Sequence, residues 1–400
     1  MLKRVSQLIH TGRRKLAPYL ERLLPTDQRY LNPQRPGRDW GSPETFFESE
    51  SGSLPVFPGY RYATKRCWSF FGPLNFISQL RSRGLATEAD VQFLDRCVGT
   101  RTLQVPLDEI TAYATTMASE HSDALLPGSE SSEPALQPTE SETLKRINYH
   151  ARSHRNLLRD LREQGFLDGN PDLKVLEIGF ISGGHSLYAF EKLGCSVTGI
   201  DNGYGGLENT ALLPEFLKTQ THSTARFVSG DITETTELEA DSFDIVYSSS
   251  VLEHIHDIPD ALAEMLRLLK PGGLLLHKYH PFFCPTGGHS LGILDAPWGH
   301  CRLSPSDFRR YLEELRPLEA GVSVEWTEAA LNRAYPISAM QRAIVSSGAE
   351  ILLWRESDIP ASQLLDLTPE TLQSCIEVTP QIGLTDLITE GVLFVARRSE

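Results

Sequence analysis

Two hydrophobic patterns alternate through the second half of the chain. Short apolar runs closed by an acid or a turn residue predict buried strands over 175–178, 196–201, 226–232, 243–250 and 273–280. Between them apolar positions recur at helical spacing. Leu187, Phe190 and Leu193 mark one face with Gly194 as stop signal, and Leu262, Met265, Leu266 and Leu269 mark another before Lys270-Pro271-Gly272-Gly273. Ser304 caps a predicted helix to about Leu315, and 331–348 gives another. Strands over 351–354 and 392–396 follow, separated by helical material at 361–376 and 381–388. Strands alternating with helices of this length predict an α/β fold around a doubly wound sheet.

The first half reads differently. Residues 1–24 are basic, with apolar positions such as Leu2, Val5, Leu8, Ile9 and Leu20 on one face. That pattern suits an ordinary amphipathic helix, and also weak peripheral membrane contact, although Pro18 interrupts it. From 25 to 62 the chain is rich in Pro, Gly, Ser and acids and predicts loop-rich structure draped over something else; helical patterns return between Cys67 and Ser119. Residues 122–142 are acidic and proline-punctuated, a disordered linker by composition. The organisation expected is therefore a helical and loop-rich extension over 1–121, the linker over 122–142, and one larger unit over 143–400 that starts with a charged helix.

The chemistry begins where the first strand ends. Glu177 closes the run and Gly179, Gly183 and Gly184 follow it, so the backbone can turn sharply, approach a ligand closely and present the free amides of the next helix. The second strand ends in Asp201, about 20 residues on, where doubly wound folds place a carboxylate against ribose hydroxyls. The third ends in Gly230-Asp231. Strand-end acids that merely cap nearby turns are the alternative reading.

Taken together and in order, Glu177-x-Gly179, Asp201, Gly230-Asp231, Phe243-Asp244-Ile245-Val246 with Val251-Leu252-Glu253-His254, and Leu269-Lys270-Pro271-Gly272-Gly273 resemble the class I S-adenosylmethionine-dependent methyltransferases, in particular the bacterial type 11 group. The likeness covers about 145–397 and departs from the family at Ile181, where relatives keep a glycine. It implies a Rossmann-like sheet of seven mostly parallel strands with an antiparallel last strand. It also implies S-adenosyl-L-methionine as cofactor: Asp201 on the ribose, Asp231 with the backbone of Ile232 at the adenine edge, Glu177, Gly179 and Gly183 near the methionine part, and Ser248 at the end of the fourth strand. Insertions at about 280–303 and 357–390 would cover the substrate side.

The acceptor is harder to read. Ser248-Ser249-Ser250 stands where methyltransferases acting on amide or base nitrogen often carry an Asn- or Asp-Pro-Pro-aromatic motif, which disfavours that class. His254, His256, His277, His280, His289 and His300 crowd one region, and general base, metal ligand and packing compete as explanations. The spacing of His280, His289 and His300 matches no established metal motif, so no metal is assigned. His277 reads as a core histidine; His280, at the strand end, is the first candidate for a base and His254 the second. The leading reading is methyl transfer to a hydroxyl oxygen of a small molecule or glycan. N- or C-methylation of a metabolite is an alternative, as is a noncatalytic methyltransferase-like domain that binds a partner through residues 1–120; Ile181 favours the last and the intact acids oppose it.

Composition narrows the partners. A formal net charge of −14 and a pI near 5.4 argue against gripping nucleic acid, since phosphate contacts need a basic surface. Cys67, Cys97, Cys195, Cys284, Cys301 and Cys375 follow no CxxC or framework spacing, as expected of reduced thiols in the cytoplasm. No apolar run reaches the ~18 residues of a transmembrane span.

Overall fold

The computed structural model describes residues 43, 45–57, 60, 87–97, 112, 113, 116, 117, 155, 156, 159, 161–166, 173–180, 189–203, 223–316, 320–359 and 361–399. Residues 1–24, the linker at 122–142 and the glycine turn at 181–188, with Ile181 and Gly183, lie outside them.

The described part is built on a mixed sheet. Strands β3 (Lys174–Ile178), β4 (Ser196–Asp201), β5 (Arg226–Ser229), β6 (Phe243–Ser249) and β7 (Leu269–Tyr279) run parallel. The sheet is completed by β8 (Ala349–Asp358) and β9 (Thr389–Arg398), with β9 antiparallel to both β7 and β8. The strand order β5-β4-β3-β6-β7-β9-β8 is the seven-stranded, mostly parallel arrangement expected from the sequence. The chain steps outward through β4 and β5, then returns to the other side of β3 as β6. That reversal opens a crevice at the carboxyl ends of the central strands.

Both faces of the sheet are covered, which is why its strands read as continuous apolar runs. Leu176, Ile178, Val246 and Leu275 pack in one core with α2 (Ile258–Leu268) and α7 (Ile337–Ser346), through residues such as Met265 and Ile344. Val175, Ile245, Tyr247 and Leu276 form the opposite core with Phe190 and Leu161. Helix α2 starts where the Asp257 side chain accepts the Asp260 amide at 3.2 Å. Helix α5 (Pro305–Leu315) starts likewise at Ser304, whose hydroxyl accepts the Asp307 amide at 3.1 Å.

The two insertions form a core of their own. Phe282, Phe283, Trp298 and Cys301 pack with Cys375 of α9 (Pro369–Val378) and Leu387 of α10 (Leu384–Ile388), and the Trp298 indole donates to the Leu387 carbonyl at 3.0 Å. Cys284, Cys301 and Cys375 are buried cysteines outside any disulfide; Cys195 is half-buried.

A β-hairpin occupies part of the stretch expected to be loop-rich. Strands β1 (Thr45–Ser49) and β2 (Gly52–Val56) pair antiparallel and bury Phe47, Leu54 and Val56 against Leu294, Phe308, Tyr311 and Leu312. The Phe57 amide donates to the Asp295 carbonyl at 2.6 Å and the Glu50 amide to the Asp307 carboxylate at 3.0 Å. This part of the expected 1–121 extension is thus fastened to the larger unit. No helix among the described residues is long and apolar enough to cross a membrane.

Candidate active site

The crevice at the ends of β3, β4 and β5 holds a cavity of about 200 Å³. Its wall includes Gly179, Asp201, Asp231 and Ile232, together with Ser250, Val251 and His254 from the other side. Gly179 is required twice over. Its φ is +77°, and a Cβ there would stand 2.5 Å from Val251 Cγ2. Its amide donates to the Ile200 carbonyl at 2.9 Å, which fixes the end of β3 against β4.

Each acid on the wall also organises its own loop. Asp201 Oδ1 accepts the Gly203 amide at 2.9 Å. Asp231 Oδ1 accepts both the amide and the hydroxyl of Thr233, at 2.9 and 2.7 Å. Burial opposes ionisation of Asp231, but the hydrogen bonds from Thr233 and from the Asn202 side chain outweigh it and hold the carboxyl below its ordinary range. The turn-capping and ligand-facing readings of these acids therefore coexist.

Glu177 and Ser248 do not line this cavity. Glu177 is buried in β3 and does not reach the described cavity wall. Ser248 is fully buried, with its hydroxyl 2.7 Å from His277 Nδ1. The residues on the wall from this side are instead Ser250, held in the left-handed region at φ +59°, and Val251. The three serines in a row gave no signal as to which of them the strand would turn outward.

The histidines separate by position. His277 is buried beneath the sheet surface, and burial pushes its imidazole down to about 3; His300, buried against the Phe282 carbonyl at 3.0 Å, is pushed down to about 4 by burial. Both are packing groups. His280 ends β7, but its Nδ1 donates to the Glu390 carbonyl at 2.9 Å and its side chain borders a separate, smaller cleft beside Glu253 and Asn332. His254 is the imidazole on the wall of the larger cavity. Of the two candidate bases, His254 borders the larger cavity and His280 the smaller cleft. Asp295, another candidate base within the insertion, is tied up by Arg316 Nε at 2.6 Å and the Tyr311 hydroxyl at 3.1 Å.

His254 is delivered by a single 3₁₀ turn, Leu252–His254, directly after Val251. The segment after α6 (Ala320–Ala329) staples that turn in place. His254 Nδ1 donates to the Ala330 carbonyl, the Asn332 amide donates to the Glu253 carbonyl at 2.8 Å, and the Asn332 side chain donates to the Ile255 carbonyl. Burial lowers the His254 pKa, partly offset by the Ala330 hydrogen bond, so the ring is neutral near pH 7 with its Nε2 lone pair available. Next to it Glu253 is 5% exposed, and burial pushes its carboxyl up to about 8. His289 completes the group from the insertion, its ring centroid 5.3 Å from that of His254.

Parts of the chain are similar to known proteins. Residues 176–277, from the first strand of the crevice through β7, match the family model of the methyltransferase domain. Over this segment the chain is similar to that family. An uncharacterized methyltransferase of Mycobacterium ulcerans (strain Agy99) is 34% identical over 130 residues, which is 29% of this chain and 51% of that protein. Another, from Mycobacterium bovis (strain BCG / Pasteur 1173P2), is 45% identical over 56 residues, 14% of this chain and 22% of that one. The chain therefore spans about half or less of the curated relatives it matches. Among solved structures, an S-adenosylmethionine dependent methyltransferase from Mesorhizobium loti aligns at TM-score 0.36 and 17% identity over 59% of this chain and 95% of that one.

Proposed function

We propose that this protein is an S-adenosylmethionine-dependent methyltransferase whose acceptor is a hydroxyl oxygen of a small molecule or glycan. One observation carries the donor assignment: Gly179, Asp201 and Asp231, from three successive strand ends, converge on a single cavity within the matched methyltransferase domain. These residues fit the donor, since a side chain at position 179 would fill the crevice and two carboxylates are held ready to accept hydrogen bonds. Asp201 would hold the ribose hydroxyls, Asp231 and the backbone of Ile232 the adenine edge, and the Gly179 turn the methionine part. When bound, S-adenosylmethionine supplies a methyl group activated by a sulfonium.

The protein's part is to align acceptor and donor and to receive a proton. His254 is suited to receive it: its Nδ1–H is committed to Ala330, it is neutral near pH 7, and it faces the cavity. An alcohol needs such a group, whereas an amine acceptor can attack from its neutral form. Phe282, packed with Trp298 in the insertion core, lines the adjoining smaller cleft.

Calorimetry with S-adenosylmethionine and S-adenosylhomocysteine tests the donor assignment. The wild type should bind, and Asp201→Ala should weaken binding at least about tenfold, because a charge-assisted hydrogen-bond pair contributes roughly 1.5–3 kcal/mol. No heat with either ligand would sink the reading.

A further inference from the structure

We propose that Glu253, His254 and His289 form a binding site for a divalent transition-metal cation, of which Zn²⁺ is the representative, on the acceptor side of the donor cavity. Each side chain offers one ligand atom, and these atoms all lie within 4.8 Å of one another. Ligands 2.0–2.1 Å from Zn²⁺ stand roughly 3.4 Å apart, so closing the group on an ion takes side-chain movements of about an ångström.

Three independent features point to a ligand there. Glu253 Oε2 is buried without a hydrogen-bond partner, while Oε1 takes a long 3.4 Å contact from the His280 amide. A bound cation would satisfy that oxygen. His254 donates Nδ1–H to the Ala330 carbonyl, the tautomer-fixing arrangement typical of metal-bound imidazole, which leaves Nε2 as the coordinating atom. His289 is held at φ +52°, a left-handed conformation costly for a non-glycine residue, at the start of α3 (His289–Gly292).

The loop before it is built to make that position. A Cβ on Gly287 would lie 1.8 Å from the Phe282 carbonyl oxygen, and one on Gly288 2.6 Å from the Gly292 carbonyl carbon. Only a glycine pair allows the insertion to fold this tightly and bring His289 beside His254. The Trp326 ring lies against both imidazoles, at 5.6 and 6.0 Å, and shields them from water.

One carboxylate and two imidazoles make a set of nitrogen and oxygen donors that suits Zn²⁺, Fe²⁺ or Mn²⁺ better than Mg²⁺ or Ca²⁺, and leaves coordination positions open. His254 lines the donor cavity and Glu253 the adjoining cleft, so the ion would sit between the two. An open position there would take the acceptor oxygen and lower its pKa, so that its proton can leave to bulk water; His254 would be the proton acceptor only in the protein without the ion. That role rests on the methyl-transfer reading; the site itself does not.

The test uses the full chain purified without a histidine tag, stripped with chelator, and titrated with Zn²⁺ alone while bound metal is counted by mass spectrometry. One equivalent should bind, and His289→Ala and Glu253→Gln should each weaken binding about a hundredfold or more. Co²⁺ loaded in place of Zn²⁺ should give a visible ligand-field spectrum that His289→Ala abolishes. If that variant fails to fold, His289→Asn keeps the left-handed backbone and removes the imidazole. Substoichiometric Zn²⁺, or full binding by a folded His289 variant, would overturn the proposal. Because no donor or acceptor is present, Zn²⁺ binding without S-adenosylmethionine binding would refute only the enzyme reading, and the converse only the metal site.

Discussion

Gly179→Ala is the substitution that most directly interrogates the crevice. At φ +77° an alanine costs about 1–2 kcal/mol relative to glycine. Its Cβ would also meet Val251 Cγ2 at 2.5 Å, where carbon atoms prefer roughly 3.5–4.0 Å, so β3 and the turn after β6 must part by about 1 Å. Overpacking of that kind costs about 1–3 kcal/mol, for a combined loss of about 2–5 kcal/mol. Because the displaced atoms are themselves cavity wall, donor affinity should fall at least about tenfold. Val251→Ala removes the colliding methyls, at about 1–2 kcal/mol for the space it leaves. In the double variant the collision disappears while the backbone cost stays, so the two losses should fall short of additivity by about 1–3 kcal/mol. Urea unfolding of the four proteins, with donor titrations alongside, measures the coupling. Losses that add to within about 0.5 kcal/mol would refute the contact, and unchanged donor affinity in Gly179→Ala would refute the placement of the donor.

Two further outcomes are expected. With an accepted substrate, His254→Gln should lower turnover by about 10²–10⁴ with donor affinity nearly unchanged, whereas His280→Gln should have a small effect; single-turnover rates decide, and the reverse order would move the chemistry to the smaller cleft. Stability should fall on acidification through His277 and His300: each folded pKa, about 3 and about 4, lies below the unfolded value near 6.5, so the unfolded chain binds the protons. Their contribution is complete above pH ~6.5 and is lost as pH falls toward those folded values, at up to ~1.4 kcal/mol per pH unit and histidine. Urea midpoints between pH 7 and 5 should show this slope, reduced in His277→Gln; an unchanged slope would mean the imidazole is already charged in the fold.

The strands of the crevice were legible because parallel strands buried on both faces leave apolar runs that need no partner to be recognised, and because Asp201 and Asp231 close two of them. The hairpin was not, since Pro55 and the serines around Gly52 read as loop; its strands exist by docking Phe47 and Leu54 on α5, a contact between residues some 250 positions apart in numbering. Which cavity each of His280 and His254 borders was not legible for a related reason. Sequence places both at the ends of neighbouring strands, but which wall each imidazole faces depends on the staple from Ala330 and Asn332, and nothing local encodes that distant segment. Glu253 carries no sequence mark of its burial.

The place of β9 in the sheet also sets a timetable for folding. It is the pairing partner of β8 and separates β8 from β7, although both precede it in the chain. As the chain leaves the ribosome, β3 to β7 can assemble in sequence while β7 keeps an open edge and β8 has no partner, and the insertion core lacks α10 and its Leu387 until the same late segment emerges. The acceptor side therefore closes last, after the donor crevice has formed, and a ribosome stalled before residue 389 would present a nascent chain with its crevice strands in place and two apolar sheet edges open to chaperones.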